Sequence, residues 1–178
     1  MACDITSGFA LGCRNNTGGI KAIYILSGSV STITDTSNEI SDIDGAGIFY
    51  QFDLQRGTSD FTETINGSTE NQTVFYEATV NAAFAKMQTS TRNQVKILAQ
   101  NTDLKIVVET NNDSDSEKFI YVGRKNGAVL NAGQGQSGTA LGDANGYTLT
   151  FTAQEPSPAD FISGSVLSDA LTGITVSQ

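Results

Sequence analysis

A chain of 178 residues, 38% of them hydrophobic, is long enough to bury a sizeable core in one domain. The formal net charge is −9, with ten Lys+Arg and no basic run. That balance argues against tight nucleic-acid binding, whose affinity comes mostly from neutralising phosphates. Histidine is absent, so Ser-His-Asp and Cys-His sites are excluded, together with the commonest general base and metal ligand.

Charged residues make up 16% of the chain, against about 25% in ordinary soluble proteins. A surface low in charge and rich in Thr, Ser, Asn, Gln and Gly suits a chain largely covered by copies of itself. Two cysteines, Cys3 and Cys13, are too few for a disulfide framework. They read as free thiols of a reducing cytoplasm, with their pairing left open. The opening MACDITSGFALGC has no basic n-region and no long apolar stretch, so no signal peptide is expected. No window approaches the roughly 18 apolar residues of a membrane span.

In chain order, NNTGG is a turn, and IKAIYIL (20–26) and SVSTIT (29–34) read as two strands reversed at Ser27-Gly28. DTSNEISDIDGAG (35–47) reads as an acidic connection. In GIFYQFDL, Ile48, Tyr50, Phe52 and Leu54 fall on one face and Phe49, Gln51 and Asp53 on the other. After Gln55-Arg56-Gly57, TSDFTETI sets Phe61 and Ile65 against Thr58, Asp60, Thr62 and Thr64, with Glu63 on the apolar side. The pair reads as one long hairpin over 46–65 with a Thr-rich polar face. TVFYEATV repeats the alternation through Val74, Tyr76, Ala78 and Val80. Thr91 and Gln94 form a T-x-x-Q capping box for one helix ending near Asn101, with Val95, Leu98 and Ala99 as its stripe.

Further on, LKIVVET is a strand with Leu104, Ile106 and Val108 on one face. FIYVG and AVLNA are short strands, and a glycine-rich loop follows. GYTLTFTAQEP then places Tyr147, Leu149, Phe151 and Ala153 opposite Thr148, Thr150 and Thr152. The threonine face poses a question, since water alone admits Lys and Glu as readily as Thr. The final GITVSQ reads as one more strand. Eight to ten strands and one helix make a mainly β chain, a β-sandwich or barrel with a flanking α-helix. It forms a single domain over 1–178, with an N-terminal arm of about 1–19 and a C-terminal extension of about 160–178.

Chemical motifs do not survive inspection. Gly133, Gly135 and Gly138 satisfy G-x-G-x-x-G, but a strand rather than a helix follows them. Asp113, Asp115 and Glu117 alternate like calcium ligands, yet Lys118 and Arg124 occupy the positions where an EF-hand loop needs Gly and Glu. No metal, cofactor or catalytic residue is expected, and the chain does not read as an enzyme.

NNTGGIKAIYI, FYQFDLQRGTSDFTETI, TRNQVKILAQNTDLKIVVETNND, FIYVGRKNGAVL and SGTALGDANGYTLTFTAQEPSPA together resemble virion structural proteins of tailed bacteriophages, most closely tail tube (major tail) proteins of phages of Bacteroidetes. The resemblance spans Gly8 to Ala159. It implies a β-barrel or sandwich whose copies form hexameric rings, which stack into a tube that conducts DNA during ejection. The implied partners are further copies of the chain, the tape measure, tail terminator and tail tip proteins, and DNA in non-specific passage. The implied location is the virion tail, assembled in the bacterial host cytoplasm. On this resemblance Asp53, Asp60, Thr62 and Thr64 are expected to face the lumen, and Thr148, Thr150 and Thr152 the lumen or a neighbouring subunit. A neck, head-completion or minor tail protein is the alternative virion role. A carbohydrate-binding β-sandwich is the alternative outside virions, although Trp, its usual platform, is absent.

Overall fold

A computed structural model describes residues 7–10, 14, 16–112 and 117–178. Cys3, Cys13, Asp113 and Asp115 lie outside the described residues, as does much of the expected N-terminal arm. The chain is mainly β. In chain order the strands are β1 (Ile20–Thr36), β2 (Glu39–Asp53), β3 (Asp60–Ser68), β4 (Thr73–Ala85), β5 (Ile106–Thr110), β6 (Phe119–Val122), β7 (Ala128–Gln136), β8 (Gly146–Glu155), β9 (Asp160–Ile162) and β10 (Leu171–Ser177). The helix α1 (Thr89–Gln100) follows β4, and a single 3-10 turn, Leu167–Ala170, precedes β10.

The long hairpin is β1–β2, not the one expected over 46–65. Its turn is Ser37-Asn38, both with positive φ (57° and 68°), a two-residue loop whose twist matches that of the flanking strands. Pairing runs from Thr36↔Glu39 to Ala22↔Asp53. Ser27-Gly28 is therefore no reversal, and the acidic 35–47 segment lies mostly within the strand pair. Gly28 sits opposite Gly47, and a Cβ on Gly28 would run into the Ala46 carbonyl oxygen. Glycine here marks a close approach of two backbones rather than a turn.

β1, β5, β6, β9 and β2 are joined in a closed circuit, because β1 pairs with β2 as well as with β5; β10 adds to β2 in parallel. The circuit is a small barrel. Its interior holds Ala22, Tyr24, Phe49, Val107, Phe119, Tyr121 and Ile162, and Leu167, Ala170 and Ile174 belong to the same buried cluster. Residues 160–177 are thus part of the barrel rather than an extension beyond it.

A four-stranded antiparallel sheet, ordered β3-β4-β8-β7, packs on the outside of this barrel. Between them lies a second core, with Ile23, Ile25, Ile106, Val108 and Val122 on the barrel side and Val80, Ala82, Leu149 and Phe151 on the sheet side. Alternation explains both cores: even and odd residues of β1 and β5 feed different clusters. Helix α1 flanks this core through Leu98, with Val95 packed beside it, while Ala99 is exposed. Its N-cap is Gln88 without a side-chain cap bond, so the expected Thr91 capping box does not form.

The chain passes from barrel to sheet through residues 54–59. Gln55 N–H bonds to the Ala83 carbonyl at 2.8 Å, and Ala83 N–H bonds to the buried Ser59 Oγ at 3.0 Å. The QRGTS cluster is therefore a pinned crossover between layers, not a hairpin turn.

Candidate functional site

The outer face of the four-stranded sheet is built by simple alternation. Ala78, Val80 and Ala82 of β4 and Leu149, Phe151 and Ala153 of β8 point into the core. Their neighbours point away. Register then aligns these outward residues in rows across the strands. Asp60, Asn81, Thr150 and Ala132 form one row; Thr62, Thr79, Thr152 and Val129 form the next; Thr64, Glu77 and Gln154 form a third.

Polar contacts lace the rows. The Thr150 hydroxyl donates to Asn81 Oδ1 at 2.9 Å, and Asn81 Nδ2 donates to both Asp60 carboxylate oxygens at 3.2 Å. Gln154 Nε2 donates to Glu77 Oε2 at 2.7 Å. Six of the seven expected residues thus share one face: Asp60, Thr62, Thr64, Thr148, Thr150 and Thr152. Thr148 is exposed, and Thr150 and Thr152 are half-buried among their neighbours. The outward positions of the four strands carry two carboxylates, Asp60 and Glu77, and neither Lys nor Arg.

Asp53 does not join them. It ends β2 with the parity of Phe49, on the barrel side of that strand, and its register partner is Ala22 of the barrel interior. Gln51 and Gln178 donate to its carboxylate at 2.8 and 3.3 Å. Asp53 and Asp60 are separated because the segment between them crosses from one layer to the other. Glu63, which interrupts the alternation of β3, accepts the Ala159 N–H at 2.7 Å and so ties β3 to the segment after β8.

The sequence reading missed Glu77, Thr79 and Asn81 of β4, and Gln134 and Gln136 of β7. The first three follow from extending the Val74–Val80 alternation to its other face. The last two were hidden because β7 runs on through the glycine-rich segment expected to be a loop. Gly133 and Gly135 face inward, where a Cβ would crowd the Leu149 and Tyr147 side chains.

The sheet also ends in two open edges. β3 and β7 lie at its margins and are nine residues each. Among the described residues, only Ala128 of β7 has a second partner, Leu104 in an isolated bridge. Neighbours in this sheet are all antiparallel, so β3 and β7 run in opposite directions. A strand added beside β7 in the direction of β3 would continue the antiparallel order of the sheet.

Within the barrel, Glu109 is 2% exposed. Lys21 Nζ donates to it at 2.8 Å and the Tyr24 hydroxyl at 2.7 Å, and Lys118 Nζ stands 3.4 Å away. Among the described residues, no group of three or more His, Cys, Asp or Glu is placed to hold a metal ion. No helix among them is long and apolar enough to cross a membrane. No family model, curated protein or solved structure matches the chain.

Proposed function

We propose that this chain is a tail tube protein of a tailed bacteriophage, a structural subunit whose hexameric rings stack into a conduit for DNA. One observation carries the reading: the broad outer face of the four-stranded sheet is neutral to acidic, threonine-rich and free of Lys and Arg at its outward positions. A free solvent-facing sheet gains solubility from mixed charges. A wall past which phosphates slide needs the absence of cations.

The edges support the same reading. Open edges of equal length are an aggregation hazard in a monomer. A ring in which β7 of each copy pairs with β3 of the next covers every one of them and continues the antiparallel sheet around a lumen. The outer face then lines the channel, and the barrel and α1 lie outside it. Threonine suits that wall, since its branched Cβ favours strands and its hydroxyl is neutral. The tape measure would occupy the lumen before DNA, and the terminator and tip proteins would bind the two ends.

Negative-stain microscopy of the purified protein tests this. Tubes with a central channel are the expected outcome. Rings that never extend favour a neck or head-completion role instead. A monodisperse monomer at every concentration overturns the proposal.

A further inference from the structure

We propose that one buried water molecule binds between the Tyr121 hydroxyl and the Glu155 carboxylate and there joins the barrel to the four-stranded sheet. The site does not depend on the tube reading.

Alternation puts Glu155 where it is. In β8, Leu149, Phe151 and Ala153 point into the core, and Glu155 continues their parity. An acid thus ends an apolar row, and it is 7% exposed. One of its oxygens is in use. Glu155 Oε1 accepts the N–H groups of Lys125 at 3.0 Å and Asn126 at 2.9 Å, which fixes the turn between β6 and β7. The other, Oε2, is buried and has no hydrogen-bond partner among the described residues. The neighbouring Arg124 is committed elsewhere, donating to Asp160 and Asp35, both at 2.8 Å.

Tyr121 comes from the barrel. It stands in β6 with Val107 of β5 and Asp160 of β9 as its register partners, and it is 1% exposed. Its hydroxyl is likewise buried and without a partner among the described residues. Burial pushes the hydroxyl pKa up; Arg124 opposes this, and the charges of Asp103 and Glu155 add to it. The phenol therefore keeps its proton and is available as a donor.

Both side chains line one small cavity of about 10 Å3. A water needs about 10–15 Å3 and at least two polar partners, so the space suits one water and nothing larger. Its walls come from both layers: Glu63 and Ala78 of the sheet, Val122 of the barrel, and the connection 157–160 between β8 and β9. The Ala159 N–H bond to Glu63 at 2.7 Å and the Arg124–Asp160 pair at 2.8 Å hold that connection in place. Two polar atoms buried without partners lose their hydration with nothing in return. A water that accepts from Tyr121 and donates to Glu155 Oε2 satisfies both at once, nearly as well as a direct bond.

Two measurements test the site. A high-resolution crystal structure of the unaltered protein should show one water within hydrogen-bond distance of Tyr121 Oη and Glu155 Oε2. A dry cavity, a direct bond between the two side chains, or density coordinated as a cation overturns the proposal. Urea denaturation of Tyr121→Phe reads what the water does. With the water present, the variant loses a hydrogen bond, and its folding equilibrium constant should fall about twofold to tenfold. With no water, the same change removes an unsatisfied buried hydroxyl and is neutral or stabilising. An unchanged or raised midpoint therefore overturns the joining role, even where the water itself is seen.

Discussion

Glu109 is where the chain places a charge inside its barrel. Burial by itself pushes the carboxyl up. The hydrogen bonds from Lys21 and Tyr24 and the charges of Lys21 and Lys118 together outweigh it, and the group titrates below its ordinary value of 4.5. A folded-state value below the unfolded one stabilises the fold fully above about pH 4.5, and the contribution fades as pH falls through the folded value. Glu109→Gln keeps the shape and removes the charge. It should cost about 2 kcal/mol at neutral pH, the scale of lost charge-assisted hydrogen bonds. The gap between variant and parent should narrow as pH falls from neutral to well below 4.5. Urea denaturation at both pH values measures it, and an equal gap at both would show that charge is not the source. The sequence concealed this residue. In LKIVVET the Leu104–Ile106–Val108 face was legible, but alternation identifies faces without revealing that the other one is covered too. Val107 and Glu109 are buried on the barrel side, by the barrel's own interior.

Among elements, the helix and most strands were legible, but the first half of β2 and the end of β7 were read as connection and loop, and pairing was not legible. Polar turn residues at 55–57 and Ser27-Gly28 both fitted hairpin reversals, yet the two-residue turn formed at Ser37-Asn38, which contains no glycine. Local turn chemistry is permissive, and which strands pair is decided by burial of faces far apart in sequence. The outer face was nevertheless readable, because Thr62–Thr64 and Thr148–Thr152 keep the period of two wherever their strands pair. Misreading of the tail has a larger consequence. A segment reaching only to neighbours could be removed at the expense of assembly alone. Here residues 163–178 supply Leu167, Ala170 and Ile174 to the barrel cluster and β10 to the edge of β2. Leu167 and Ile174 are each worth about 1.5–3 kcal/mol and Ala170 about 0.8, against a total of about 5–15 for a domain. Deleting 163–178 should therefore abolish folding. Circular dichroism and protease resistance would show it, and a cooperatively folded truncated monomer would contradict this placement.

In the whole molecule, the two layers divide the work: the barrel holds the fold, and the four-stranded sheet presents the long polar face. If that face lines a channel, Asp60 and Glu77 recur once per subunit around it, and the repeated negative charge keeps phosphates off the wall. Asp60→Lys with Glu77→Lys reverses the sign without touching either core, since both side chains lie on the outer face. Assembly should persist. The lumen becomes a ring of cations, and DNA should be held at low salt and released as salt rises, with the steep dependence that counterion release imposes. Asp53→Lys is the internal control. It makes a similar reversal on the barrel side of β2, away from the proposed lumen, and should leave DNA passage unchanged. DNA retained by purified tubes across a salt series, or the rate of ejection from assembled particles, reads the difference. Retention by the Asp60/Glu77 variant alone supports a channel lined by the four-stranded sheet. Equal retention by Asp53→Lys, or none by either variant at low salt, would mean that this face does not meet DNA.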